Sequence, residues 1–166
     1  MRKISPKGQR WLKCFHVFFC CAWVGGAISL LSINLFLQAE EGMDLYGIDS
    51  SMKFIDDFII ITGAIGCFLT GTLYSVFTNW GWFKHRWITV KWIITLWGII
   101  SGTFFLGPWL NSLPPLSKAE GMNALMNQSY INTKHILWYL GGFQVATIIL
   151  AVFISVLKPW RKKSSE

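Results

Sequence analysis

The sequence predicts an all-α fold, a four-helix transmembrane bundle with both termini in the cytoplasm. Three observations carry that expectation. Hydrophobic residues make up 53% of the 166 positions and charged residues only 14%, against about 25% charged in a soluble domain. The apolar residues are gathered into four runs, at residues 15–36, 54–77, 87–106 and 135–157, rather than spread evenly. A helix rises about 1.5 Å per residue, so such runs match a hydrocarbon core of about 30 Å. Residues 1–166 therefore read as a single integral membrane domain.

Residues 1–13 carry Arg2, Lys3, Lys7, Arg10 and Lys13 and no acid. Pro6-Lys7-Gly8 reads as a breaker, which puts the start of ordered helix near residues 9–11. A basic start before an apolar run also describes a signal peptide, and Leu37-Gln38-Ala39 loosely resembles a cleavage site. The run is too long for a signal core of about 7–15 residues, so the segment is expected to be retained. Along the first span His16, Cys20, Trp23, Ala27, Leu30 and Asn34 recur every three or four positions. With Gly25 and Ser29 they predict a face turned into the bundle, because small residues let backbones approach in lipid.

Residues 37–53 hold Glu40, Glu41, Asp44 and Asp49 and read as a loop, with Ser50 or Ser51 capping the second span. Asp56 and Asp57 then fall in a first turn, where the positive helix end favours carboxylates. Thr62, Gly66 and Thr70, with Gly63 and Gly71, form a small stripe that predicts a packing seam. Residues 78–86, TNWGWFKHR, read as a tight basic turn at a membrane surface.

The third span carries Lys91 a little over one turn inside it, and Gly98 and Gly102 form a GxxxG pair. Gly107-Pro108 is expected to end this span, and Pro114-Pro115 to exclude helix after it. Ser117-Lys118-Ala119-Glu120 matches a capping box, so a short outer surface helix is expected over 118–128. Asn127-Gln128-Ser129 fits a glycosylation acceptor. The fourth span holds Tyr139, Gly141, Gly142 and Gln144, and Pro159-Trp160-Arg161-Lys162-Lys163 closes the chain.

Charge sets the expected orientation. The termini and the 78–86 turn together hold eleven Lys/Arg and one acid, Glu166. The opposite side holds Lys53, Lys118 and Lys134 with the other seven acids. The positive-inside rule then puts both termini in the cytoplasm. Tryptophan placement agrees, with Trp11, Trp80, Trp82, Trp87 and Trp160 at the inner surface and Trp109 and Trp138 near the outer one. The net charge of +7 does not indicate nucleic acid, because the cations sit at span ends. The partners expected are the lipid bilayer and either a second copy or another membrane protein.

Ionisable residues inside a membrane are costly and mark candidate sites. His16, His85 and Lys91 lie toward the cytoplasmic side and His135 at the opposite end. One haem b is the cofactor this pattern admits, with His16 as an axial ligand to the iron, His85 as the other, and Lys91 pairing with a propionate. The plain alternatives are a hydrogen-bonded His16, a His85 among headgroups and a Lys91 that snorkels to the surface. Met43, Met52, Met122 and Met126 fall in outer connectors near Asp56, Asp57 and His135, and thioether with imidazole suits copper. Equally, Met122 and Met126 are the natural apolar face of a surface helix. Cys14, Cys20, Cys21 and Cys67 all lie in or beside spans and read as small buried apolar residues. No disulfide framework is expected of them.

Two blocks also resemble known proteins. Trp11-Leu12-Lys13-Cys14-Phe15-His16, followed by Trp23-Val24-Gly25-Gly26, resembles the first helix of bacterial membrane proteins related to copper-resistance protein D and the haem-linked membrane protoporphyrinogen oxidase. The stretch Phe83-Lys84-His85-Arg86-Trp87-Ile88-Thr89-Val90-Lys91-Trp92 resembles four-helix bacterial membrane proteins grouped as a domain of unknown function. The resemblance implies a bacterial inner-membrane location, His16 as a haem ligand and Lys91 as an intramembrane cation. The leading expectation is a protein that binds haem or porphyrin in a redox role. The alternatives are a non-catalytic membrane subunit binding lipid or a partner, and a metal-handling membrane protein.

Overall fold

The computed structural model describes residues 4–78 and 81–159. Arg2, Lys3, Asn79, Trp80, Trp160 and the basic tail Arg161, Lys162, Lys163 lie outside them. The described residues form four helices long and apolar enough to cross a membrane: α1 (Pro6–Phe36), α2 (Gly42–Phe77), α3 (Arg86–Met126) and α4 (Gln128–Leu157). No strand occurs among the described residues. Phe18, Leu69, Ile93, Phe104 and Val156 are exposed on the four helices, as side chains facing lipid would be. Four such helices are compatible with a multi-pass membrane protein.

Every helix is longer than its apolar run, and the extensions correct several expectations. α1 begins at Pro6, not near 9–11. Proline is tolerated in a first turn, where its missing N–H has no intrahelical partner to lose. Ser5 caps that turn by accepting from the Gly8 amide at 3.2 Å. α2 begins at Gly42, so the expected loop over 37–53 is mostly helix. Asp44 Oδ2 accepts from the Glu41 amide at 3.2 Å. Ser51 does not cap a helix; its hydroxyl donates back to the Gly47 carbonyl at 2.8 Å. The charged residues conceal an amphipathic segment whose buried face is Leu45, Asp49 and Met52. Asp56 and Asp57 open a π turn, Asp56–Ile60, rather than a helix start.

α3 runs through Gly107-Pro108. A π turn at Gly102–Leu106 precedes it, and the Gly107 amide bonds five residues back to the Gly102 carbonyl. The shifted ladder lets Pro108 sit near the start of the next α segment, Gly107–Glu120. Pro114 and Pro115 also lie inside that segment. Each interior proline costs about 3 kcal/mol. Leu110, Leu113 and Pro114 are buried there, and each fully buried leucine returns about 1.5–3 kcal/mol. Packing therefore overrides propensity.

The separate surface helix expected over 118–128 is replaced by two pieces. Ser117 makes no capping box; its hydroxyl donates to the Leu113 and Pro114 carbonyls. The α segment stops at Glu120, and a 3₁₀ turn follows at Gly121–Met126. Gly121 has φ +56°, in the left-handed region, and a Cβ on Gly42 would lie 3.0 Å from its Cα. Side chains would not fit that crossing. α4 starts at Gln128 rather than 135, capped by Asn127, whose Oδ1 accepts from the Ser129 amide at 2.9 Å. The Asn127 amide group donates to both Glu120 oxygens, so the asparagine of the Asn127-Gln128-Ser129 triplet is engaged at the cap.

Three buried clusters divide the bundle by height. At the end away from the termini, Leu45, Met52, Leu110, Leu113, Ala124, Tyr130 and Leu137 form a cap core. Met52 is therefore a core residue, not a connector residue. Asp49 is fully buried in this cap. The Tyr130 hydroxyl donates to its carboxylate at 3.0 and 3.2 Å, and Lys134 Nζ lies 3.8 Å away. Trp23, Ala64, Cys67 and Ile148 form the middle cluster. Trp87, Ile88, Trp92 and Ile154 form the third, near the termini.

The α1–α2 seam is the closest contact. A Cβ on Gly63 would lie 2.6 Å from the Trp23 amide nitrogen, and one on Gly66 would enter the Phe19 ring. Gly26, not Gly25, faces α2 there, against Ile59 and Ile60. Gly25 and Ser29 point outward.

Candidate metal centre

The functional cluster grows out of that seam. Glycines at 63 and 66 draw α2 against α1, and the residues just beyond them, Cys67 and Thr70, meet Cys20 and His16. His16 and Cys20 are one turn apart on α1, and Cys67 and Thr70 nearly one turn apart on α2, so each helix presents a polar pair on one face.

Thr70 sets the state of the imidazole. Its hydroxyl donates to the Gly66 carbonyl at 2.6 Å, with the Cys67 carbonyl at 3.1 Å. A hydroxyl has one proton, so toward His16 it accepts. His16 Nδ1 lies 2.8 Å from Thr70 Oγ1 and is therefore the protonated nitrogen of the neutral ring. That assignment follows from the hydrogen-bond network. It leaves a lone pair on Nε2, which faces Cys20 Sγ at 3.6 Å. Cys20 Sγ in turn lies 3.2 Å from Cys67 Sγ.

The three ligand atoms, His16 Nε2, Cys20 Sγ and Cys67 Sγ, thus belong to one group lying within 4.8 Å of one another. An imidazole whose other nitrogen is held by a hydrogen bond is the usual form of a metal-ligating histidine. Thiolate with imidazole is a donor set for zinc or copper(I). Tyr74 closes the side toward the termini, edge-on to the His16 ring at 6.2 Å, its hydroxyl donating to the Gln9 carbonyl at 3.0 Å.

Lys91, on α3, is half-buried, and its Nζ lies 5.9 Å from the centroid of the Trp87 ring. α2 and α3 touch little at this height, with Phe68 edge-on to Trp92 at 5.7 Å. His85 stands at the N-cap of α3, half-buried and stacked on Trp87 at 6.2 Å. His135 is exposed on α4 and stacks with Tyr139. Asp57 is paired with Lys53 at 2.7 Å. Met43, Met122 and Met126 are exposed at the cap, away from the buried Met52.

The two decisive cysteines read as inert apolar residues in the sequence. Cys20 had a signal, its i+4 spacing from His16. Cys67 had none, because only the register of α2 against α1 brings it there. Cys14 and Cys21 are exposed on α1 and take no part.

The haem expected from His16 meets an obstacle in the packing. Nε2, the atom that would ligate iron, faces Cys20 Sγ at 3.6 Å. Phe19 over Gly66 and Trp23 against Gly63 close the same seam. A flat macrocycle there has to part α1 from α2, whereas a single ion needs only the three atoms already gathered. No family model, characterised protein or solved structure is matched by this chain.

Proposed function

We propose that this chain is a metal-handling protein of the bacterial cytoplasmic membrane that binds a thiophilic ion through His16, Cys20 and Cys67. The observation that carries the reading is the convergence of three soft or borderline ligand atoms within 4.8 Å, on two helices, with the imidazole oriented by Thr70. Such a group at membrane depth has a cost that a purely apolar seam avoids. The charge distribution supports an orientation with both termini inside the cell, which would set the centre in the inner half of the bilayer. A porphyrin held by His16 and Lys91 is the weaker reading, because it has to displace the Cys20–His16 contact.

The test is metal content. Protein purified in detergent under reducing conditions is dialysed against zinc or copper(I) and its bound metal measured. One ion per chain is expected, together with a thiolate-to-metal absorption band on substitution with cobalt(II). Cys67→Ser and His16→Ala each remove the ion while the protein still runs as a folded species. Absence of any bound ion from the unaltered protein, or binding unchanged in Cys67→Ser, overturns the reading. A Soret band after growth with ample haem, lost in His16→Ala, favours the porphyrin instead.

A further inference from the structure

Cys20 Sγ is closer to Cys67 Sγ, at 3.2 Å, than to His16 Nε2, at 3.6 Å. A disulfide bond is about 2.05 Å long, so the two sulfurs have about 1.1 Å left to close. Rotation about one side-chain bond in each cysteine can supply that. The backbones are also close at this height. Disulfides join positions whose Cα atoms lie about 4.4–6.8 Å apart. A Cβ on Gly63 would lie 3.0 Å from Trp23 Cα and 3.1 Å from the Phe19 carbonyl oxygen. Cys67 follows Gly63 by one helical turn and Cys20 directly follows Phe19, so both cysteines stand within a turn of that crossing. Their access differs. Cys67 is only 8% exposed, whereas Cys20 is half-buried. Cys14 and Cys21 are exposed on α1 and lie outside the cluster.

The geometry points to a redox lock: a lipid-soluble hydroperoxide joins Cys20 to Cys67 as a disulfide, which ties α1 to α2 and removes two of the three metal ligands. A site among apolar helices is reached by an uncharged oxidant that dissolves in lipid. Cys20, the more accessible sulfur, takes the terminal peroxide oxygen. The O–O bond breaks, the thiol proton goes to the departing oxygen, and an alcohol leaves behind a sulfenic acid. Cys67 then attacks the Cys20 sulfur, and the hydroxyl departs with the second thiol proton as water. One hydroperoxide and two thiols thus give one disulfide, one alcohol and one water. The peroxide gains the two electrons that the sulfurs lose. Of the ligand group only His16 Nε2 then remains, and one imidazole does not make a site. The cross-link stands on the sulfur contact alone; its control of metal binding rests on the metal reading above and adds regulation to it.

The test is mass spectrometry on the metal-free, reduced full chain in detergent, treated with cumene hydroperoxide. A loss of about 2 Da is expected, the two hydrogens of one disulfide. Proteolysis without reduction is expected to release the peptides of Cys20 and Cys67 joined to each other. Cys67→Ser is expected to gain oxygen on Cys20 instead of losing hydrogen, since no second thiol is at hand. Cys21→Ser is expected to cross-link as the unaltered protein does. No cross-link, or one through Cys14 or Cys21, overturns the proposal. Zinc(II), which has no redox chemistry of its own, tests the link to the metal. The oxidised chain is expected to bind none at concentrations that load the reduced chain, and the zinc-loaded chain to resist the peroxide. Equal zinc binding by both forms overturns the lock. A reduced chain that binds no metal yet still cross-links would sink the metal reading and leave the disulfide standing.

Discussion

The hydroxyl of Thr70 lies 2.8 Å from Nδ1 of His16 and gives its own proton to the carbonyl of Gly66. One side chain of α2 thereby fixes both the ring orientation and the tautomer of a histidine on α1. The free lone pair is left on the side of the two thiols.

Thr70→Val keeps the shape and removes that acceptor. Loss of an outer partner of a metal-ligating histidine lowers affinity about tenfold to a hundredfold. Thr70→Ser retains the hydroxyl and is expected to bind nearly as well as the unaltered protein. Chelator competition on the three purified proteins decides this, and equal affinity in all three would remove Thr70 from the site.

The α1–α2 seam should tolerate no added methyl at Gly63. The built Cβ meets backbone, Trp23 N at 2.6 Å and Trp23 Cα at 3.0 Å, which has no rotamer to move into. Gly63→Ala is expected to destabilise the bundle by about 1–3 kcal/mol, the usual range for overpacking. Gly25→Ala meets nothing within 4 Å and serves as the control, with a change of about 0.5 kcal/mol or less. Thermal unfolding in one detergent compares them.

The cap contains a buried carboxylate. Asp49 accepts from Tyr130 and faces Lys134 at 3.8 Å. Asp49→Leu leaves Lys134 and the Tyr130 hydroxyl without it, at a cost of about 3 kcal/mol, the low end for a broken buried pair because Lys134 keeps some exposure. Adding Lys134→Met to Asp49→Leu is expected to recover part of that loss. Strict additivity of the two changes in a double-mutant cycle would mean that the pair does not interact.

Orientation is tested by single-cysteine labelling in whole cells, on a background with the native cysteines replaced. Met122→Cys sits on the exposed cap and Trp82→Cys on the exposed turn near the termini. A membrane-impermeant thiol reagent is expected to reach residue 122 in intact cells and residue 82 only after permeabilisation. The reverse pattern would put the termini outside.

The four crossings were legible because length and apolarity are local properties: lipid demands an unbroken hydrophobic run, and each run can be read without knowing its neighbours. The face of α1 bearing His16, Cys20, Trp23 and Ala27 was legible too, through a period of about 3.6 residues. The helical extensions were not. The segment ahead of Phe54 looked like a loop because its exposed face is acidic, and Pro108, Pro114 and Pro115 looked like stops. The burial of Leu45, Leu110 and Leu113 in one cap core outweighs those local signals, and that burial exists only when α2, α3 and α4 are together.

The sequence by itself determined a chain built to live in a bilayer, its cations gathered at one end and His16 and Lys91 set in the same half. Only the tertiary structure decided that Cys67 stands beside Cys20. Between helices already in lipid there is little hydrophobic drive to choose a register. Here the register is decided by shape, by two glycines at 63 and 66 that let α2 come against Trp23 and Phe19. That is a relation between helices, and no single stretch of sequence contains it.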